Sequence, residues 1–233
     1  APVLDESDLP RAVRLVDLFE DDIASDPDAV RGRWVRSDSL TARWMPGDAN
    51  REPAGLTALV GQGAAGPLRI DLRRDGPHAL VGGTSGAGKS EFLQTWILGM
   101  AVEQSPDRLT FLLVDYKGGS AFGDCVSLPH TVGLVTDLTP HLVARALTSL
   151  RAELKRREEL FADKGAKDLA TLEERGDPDA PPALVIVIDE FAALVTEVPE
   201  FVDGVIDIAQ RGRSLGLHLI MATQRPAGVI KDN

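Results

Sequence analysis

The sequence predicts an α/β fold with a mostly parallel central sheet flanked by helices, preceded by a small N-terminal appendage. Three observations predict it. Leu109–Val114, apolar but for Thr110, and the wholly apolar Ala183–Ile188 are runs of strand length, the pattern of strands buried on both faces. Segments with apolar residues at helical spacing alternate with them. Residues 83–90 read Gly-Thr-Ser-Gly-Ala-Gly-Lys-Ser, which fits the phosphate-binding pattern G-x-x-x-x-G-K-[ST] between a strand and a helix. A chain of 233 residues has room for one such domain and an appendage.

In chain order, residues 1–66 form the appendage and linker. Arg11–Phe19 has apolar positions at helical spacing, and Asp26-Pro27-Asp28 is a start signal for a short helix over Ala29–Val35. Trp34 and Trp44 are read as packing this appendage onto the main body, with a role as partner anchors as the alternative. Arg36–Glu52 reads as loop. Leu56–Val60 and Leu68–Leu72, joined by a Gly-rich turn, predict a hairpin. His78–Gly82 is the strand that enters the phosphate loop, and Glu91–Val102 is the apolar helix that leaves it. Leu109–Val114 and Thr131–Thr136 are further strands. Thr139-Pro140 opens the longest helix, to about Phe161, with Val143, Leu147, Leu150, Leu154 and Phe161 as its apolar stripe. Lys155, Arg156 and Arg157, interleaved with glutamates, read as its solvated face. Residues 163–182 read as a loop around one short helix. Ala183–Ile188 is a strand, Phe191–Val198 and Pro199–Ser214 are helices, and Leu217–Ala222 is a strand. A strand inserted between the phosphate-loop strand and the Ala183–Ile188 strand, with an acidic pair after the latter, points to the RecA-like (ASCE) branch of P-loop NTPases.

Composition narrows the function. A net charge of −11 argues against a broad basic face for wrapping nucleic acid. One cysteine, Cys125, allows no intrachain disulfide and reads as a small core residue in a cytosolic setting. No run of about 18 apolar residues is present.

The candidate site follows from phosphate chemistry. The amides of Gly83, Thr84, Ser85, Gly86, Ala87 and Gly88 can point at an anion, helped by the positive end of the following helix. Lys89 would reach the β- and γ-phosphates, Ser90 would hold Mg²⁺, and Glu91 closes the nucleotide-binding stretch. Asp189, at the end of an apolar strand, is the second Mg²⁺ ligand, and Glu190 beside it is placed to direct or deprotonate a water. Gln224 ends the next strand on the same edge. Asp115 and Lys117 either lie near the nucleotide or form a turn with a surface ion pair.

These residues resemble the FtsK/SpoIIIE-type motor ATPases over about residues 68–228. The carriers are Gly82–Glu91, Val114–Phe122, Val187–Leu194, Arg213–His218 and Ala222-Thr-Gln-Arg-Pro226. Asp115–Phe122 and Gly212–Gly216 look more like the EccC/EssC ATPases of type VII secretion, which move proteins, than like the double-stranded DNA translocases. The resemblance implies residues 67–233 as an ATPase domain whose family pattern continues beyond Asn233, ATP as the nucleotide, and a ring, usually a hexamer, with shared sites. It implies the cytoplasmic domain of a membrane-associated bacterial protein, with membrane contact only through parts absent here and protein cargo preferred over DNA. Arg213 occupies the place of an arginine that reaches the neighbour's nucleotide; Arg211 is an alternative, and helix capping also explains Arg213. Two other readings are a DNA translocase and an ATP-binding regulatory module with little hydrolysis. A small-molecule kinase fits poorly, because Glu190 would waste ATP on water.

Overall fold

A computed structural model describes residues 12–43, 55–115, 121–136 and 139–224. Trp44, Lys117, Arg225 and Pro226 lie outside the described residues, as does the side chain of Val143.

The core is a five-stranded parallel sheet in the order β3-β7-β6-β4-β5. Its strands are β3 (His78–Gly82), β4 (Leu109–Asp115), β5 (Thr131–Val135), β6 (Ala183–Asp189) and β7 (Leu217–Thr223). β7 pairs with β3 on one side and β6 on the other, so a strand does stand between the phosphate-loop strand and the strand carrying the acidic pair. β6 is buried at all seven positions, as an apolar run covered on both faces requires.

Helices α2 (Lys89–Glu103), α3 (Pro140–Asp163), α4 (Leu169–Glu174), α5 (Phe191–Glu197) and α6 (Pro199–Leu215) follow the strands. The α3 stripe is buried at Leu147, Leu150, Leu154 and Phe161, and α6 buries Phe201, Val205 and Ile208. Arg157 departs from the expected solvated face. Its guanidinium is buried, donating to the carbonyls of Pro182 and Leu215 at 2.8 Å each, while Nε meets Glu153 at 2.6 Å. It ties α3 to the starts of β6 and β7. Lys155 and Arg156 remain exposed.

Strands β1 (Thr57–Gly63) and β2 (Gly66–Asp71) form an antiparallel hairpin. The boundary expected after residue 66 therefore falls inside the hairpin, and β1 packs on α2. At Gly99 the helix comes so close that an added Cβ would stand 2.7 Å from the Leu59 carbonyl oxygen.

In the appendage, α1 (Pro27–Arg36) forms with Asp26 accepting from the Asp28 amide as its N-cap. The helix expected over Arg11–Phe19 is, within the described residues, a single 3₁₀ turn at Leu15–Leu18. Of its apolar residues only Phe19 is buried, Leu15, Val16 and Leu18 are half-buried and Val13 is exposed, so too little of the apolar spacing is covered to hold a longer helix. Trp34 does pack onto the body: its indole donates to the Ala101 carbonyl at 3.0 Å and its ring stands edge-on to His130. Arg33 adds an ion pair to Glu103 at 3.0 Å.

Candidate active site

The β3–α2 turn forms the phosphate loop by way of backbone geometry. The Gly83 amide donates to the Thr223 carbonyl at 3.2 Å, which fixes the loop's origin on β7. Gly86 and Gly88 have φ of 76° and 84°, left-handed values that favour glycine, and Gly88 is the N-cap of α2. A Cβ on Gly83 would stand 3.3 Å from both Ala87 Cβ and Lys89 Cγ, so the loop curls around the lysine stem. Lys89 is 9% exposed, and its ammonium donates to the carbonyls of Gly83 at 2.8 Å and Thr84 at 3.0 Å. Those partners are neutral. A phosphate brings anionic oxygens to the same concavity and is the stronger acceptor for a buried ammonium.

The opposite wall comes from the ends of β6 and β7. Asp189 is 5% exposed and is the register neighbour of Asp115 on β4. Asp115 is wholly buried and accepts from the Ala121 amide at 2.8 Å, so it braces the cleft wall from behind and is not a surface turn. Gln94 of α2 donates to the Ala121 carbonyl at 2.9 Å and holds the same point from the other side.

Glu190 has φ 55° and ψ 45°, a left-handed conformation that is unfavourable for a residue with a side chain. It lets the chain turn from β6 straight into α5 while the carboxylate stays buried beside the cleft. Gln224 donates to Glu190 Oε1, and Ser85 of the phosphate loop donates to Gln224 Oε1 at 2.8 Å.

The resulting cleft holds about 350 Å³ and is lined by Ser85, Gly86, Gly88, Lys89, Ser90, Glu91, Ala121, Asp189, Glu190 and Gln224. It lies at the carboxyl ends of the strands, where open parallel sheets bind ligands. The donors fit a nucleotide with its metal. Loop glycines leave an open concavity (a Cβ on Gly86 would meet nothing within 4 Å), and the Ser90 hydroxyl and an Asp189 carboxylate oxygen belong to residues that both line it. These two oxygens are fewer than the six that Mg²⁺ needs, so phosphate and water would supply the rest.

Arg213 is not part of this cleft. It is exposed in the last turn of α6, which leads into the start of β7 and so lies at the amino edge of the sheet. There it lines a separate hollow of about 390 Å³ with Arg73, Asp168, Gln210 and His218. Arg211 is committed elsewhere, ion-paired to Asp207 at 2.6 Å and Glu158 at 2.8 Å. Cys125 is buried, with its thiol pushed up to about 11 by desolvation and by Asp124, unsuited to nucleophilic work. Sequence reasoning missed Gln94 and Ala121 as wall elements; an alanine and a helical glutamine carry no signal in spacing.

Residues 39–228 match the family model described as the FtsK/SpoIIIE family. The chain belongs to the FtsK/SpoIIIE family. It is an ATPase domain homologous to the type VII secretion ATPases. It is 35% identical over 230 residues, 96% of this chain, to the ESX secretion system protein YukB of Bacillus subtilis. It is 40% identical over 194 residues, 82% of this chain, to the type VII secretion system protein EssC of Staphylococcus aureus. It spans only 15% and 13% of those two relatives. Among solved structures it is similar to the cytoplasmic domain of the Thermomonospora curvata type VII secretion ATPase EccC, with TM-score 0.68 and 36% identity over 77% of this chain and 22% of that one. A structure of ATPases 2 and 3 of the same EccC, in complex with a signal sequence peptide, has TM-score 0.65 and 26% identity, covering 77% of this chain and 36% of that one.

Proposed function

We propose that this domain binds ATP with Mg²⁺ and hydrolyses it to drive protein export through a type VII secretion-like machine, as one unit of a ring. The observation that carries the reading is the single cleft that gathers the phosphate loop, Lys89, Ser90, Asp189, Glu190 and Gln224 from three separate strand ends. Membrane attachment and cargo contact belong to the longer protein of which the relatives give the scale. The charge of −11 favours protein cargo over DNA, whose phosphates call for basic contacts.

In this mechanism the loop amides of Gly83–Gly88 and the Lys89 ammonium hold the phosphates, with Glu91 at the mouth. Ser90 and Asp189 would hold Mg²⁺, whose charge would offset that of the phosphate oxygens. Glu190 accepts the proton of a water aimed at the terminal phosphorus. Gln224, which already touches Glu190, responds to the terminal phosphate. Arg213 lies at the opposite edge of the sheet, so its charge can act only on a neighbouring subunit's nucleotide. Such an arginine is worth roughly 10³-fold or more in turnover in comparable NTPases.

That placement also supports a second reading for the isolated chain, a domain that binds ATP tightly but hydrolyses it slowly. Steady-state hydrolysis against protein concentration, with sizing alongside, separates the two. Specific activity that climbs with concentration and is abolished in Arg213→Ala and Glu190→Gln supports the motor. A flat, near-zero rate with tight binding supports the regulatory reading.

A further inference from the structure

Ser85 is held in the cleft by no role that phosphate binding requires of a side chain, since the loop binds through its amides. Its hydroxyl nevertheless donates to Gln224 Oε1 at 2.8 Å, and Gln224 Nε2 in turn donates to Glu190 Oε1. The chain of bonds crosses the cleft from the phosphate loop to the ends of β7 and β6.

The direction of these bonds matters. A glutamine amide presents an acceptor on one side and a donor on the other. Only the orientation with Oε1 toward Ser85 turns the NH₂ toward the Glu190 carboxylate; the flipped amide would set an oxygen against it. The carboxylate only accepts and so sets which way the amide faces, and the Ser85 hydroxyl, donating to Oε1, anchors the amide's other side to the phosphate loop.

We infer that Ser85 is a positioning residue that locks the Gln224 amide and, through it, orients Glu190. The inference rests on the ATPase reading for its consequence in turnover, but not for the bond itself.

The test is a double-mutant cycle of S85A and Q224A on the full chain, with S85T as the conservative variant. Without nucleotide, each single change should lower Tm by about 1–3 °C, the scale of one hydrogen bond, and the double change should lower it by less than the two effects combined. In turnover, S85A should lower kcat about tenfold with KM within about twofold, a loss specific to the chemical step. S85A added to Q224A should cost little more, and S85T should stay near the parent chain. Additive Tm effects, or a raised KM with unchanged kcat, would overturn the inference and make Ser85 a phosphate contact only. A parent chain that hydrolyses no ATP would sink the ATPase reading, and the Tm cycle would then decide the positioning bond alone.

Discussion

Replacing Gly99 by alanine tests whether the hairpin is packed rigidly onto the phosphate-loop helix. In an unconstrained helix the change would stabilise the protein by about 1 kcal/mol, since alanine loses less backbone entropy. Here the new Cβ would stand 2.7 Å from the Leu59 carbonyl oxygen, 3.1 Å from Ala58 Cβ and 3.4 Å from the Leu59 amide nitrogen. Two of these neighbours are backbone in a strand, so relief requires β1 and α2 to separate. Overpacking of this kind costs about 1–3 kcal/mol, and the closest approach places it at the upper end. The net is a loss of about 1–2 kcal/mol, or a Tm lower by about 2–8 °C for a domain of this size. Gly32→Ala in α1 is the internal control. Its Cβ would meet only the end of the Arg36 side chain at 3.5 Å, so that substitution should raise Tm by about 1–3 °C. Thermal melts followed by circular dichroism, with urea titrations to show an unchanged m-value, read both. A Gly99→Ala chain as stable as the parent would refute the argument that the strand backbone cannot yield.

Glu173 sits between Arg73 and Arg108, the latter fully buried. Burial pushes its carboxyl up, but the two guanidiniums together outweigh burial and hold it below its ordinary value of 4.5. Its contribution is therefore present above pH 4.5 and lost as pH falls through the depressed value, and Glu173→Gln should cost about 3–5 kcal/mol at neutral pH by stranding Arg108, with a flatter acid limb in the pH-stability curve. His218 has the opposite charge logic: burial depresses it from 6.5 to about 4. The unfolded chain takes up a proton that the fold refuses, so stability should fall as pH drops from 6.5 toward about 4, and His218→Gln should remove part of that slope in urea titrations at several pH values. Lys89→Ala should weaken ATP affinity at least tenfold by calorimetry, because it removes a charge-assisted hydrogen bond to phosphate; unchanged affinity would remove Lys89 from the phosphate site. Glu190→Gln should leave ATP affinity within about twofold and reduce turnover by more than about a hundredfold.

The parts of the fold readable from sequence are those with local signals. β6 announces itself by six successive apolar residues, and the phosphate loop by glycine spacing that physics demands there. Asp189 and Glu190 could be assigned to the sheet's carboxyl edge because they follow a buried strand directly. What stayed hidden depends on partners distant in sequence. Arg157 looks like a surface cation until α3 brings it against carbonyls 25 and 58 residues away. The Ser85–Gln224 bond joins residues 139 apart. The left-handed backbone of Glu190 has no sequence signal, because it is imposed by the sharp passage from β6 into α5. Asp115 left two readings open, and burial removes the surface ion pair for it, while its place behind Ala121 puts it outside the lining of the cleft.

The fastening of the appendage has a mechanical consequence. Arg33 and Trp34 grip α2 at Glu103 and Ala101, its last turn, while Ser39 and Ser105 bond just beyond it. The first turn of that helix carries Lys89 and Ser90. Fifteen residues of helix make a rod of about 22 Å with phosphate chemistry at one end and the N-terminal segment at the other. A tilt of about 5° at the loop would carry the distal end through about 2 Å, and Arg33 and Trp34 would pass that displacement on to the N-terminal segment.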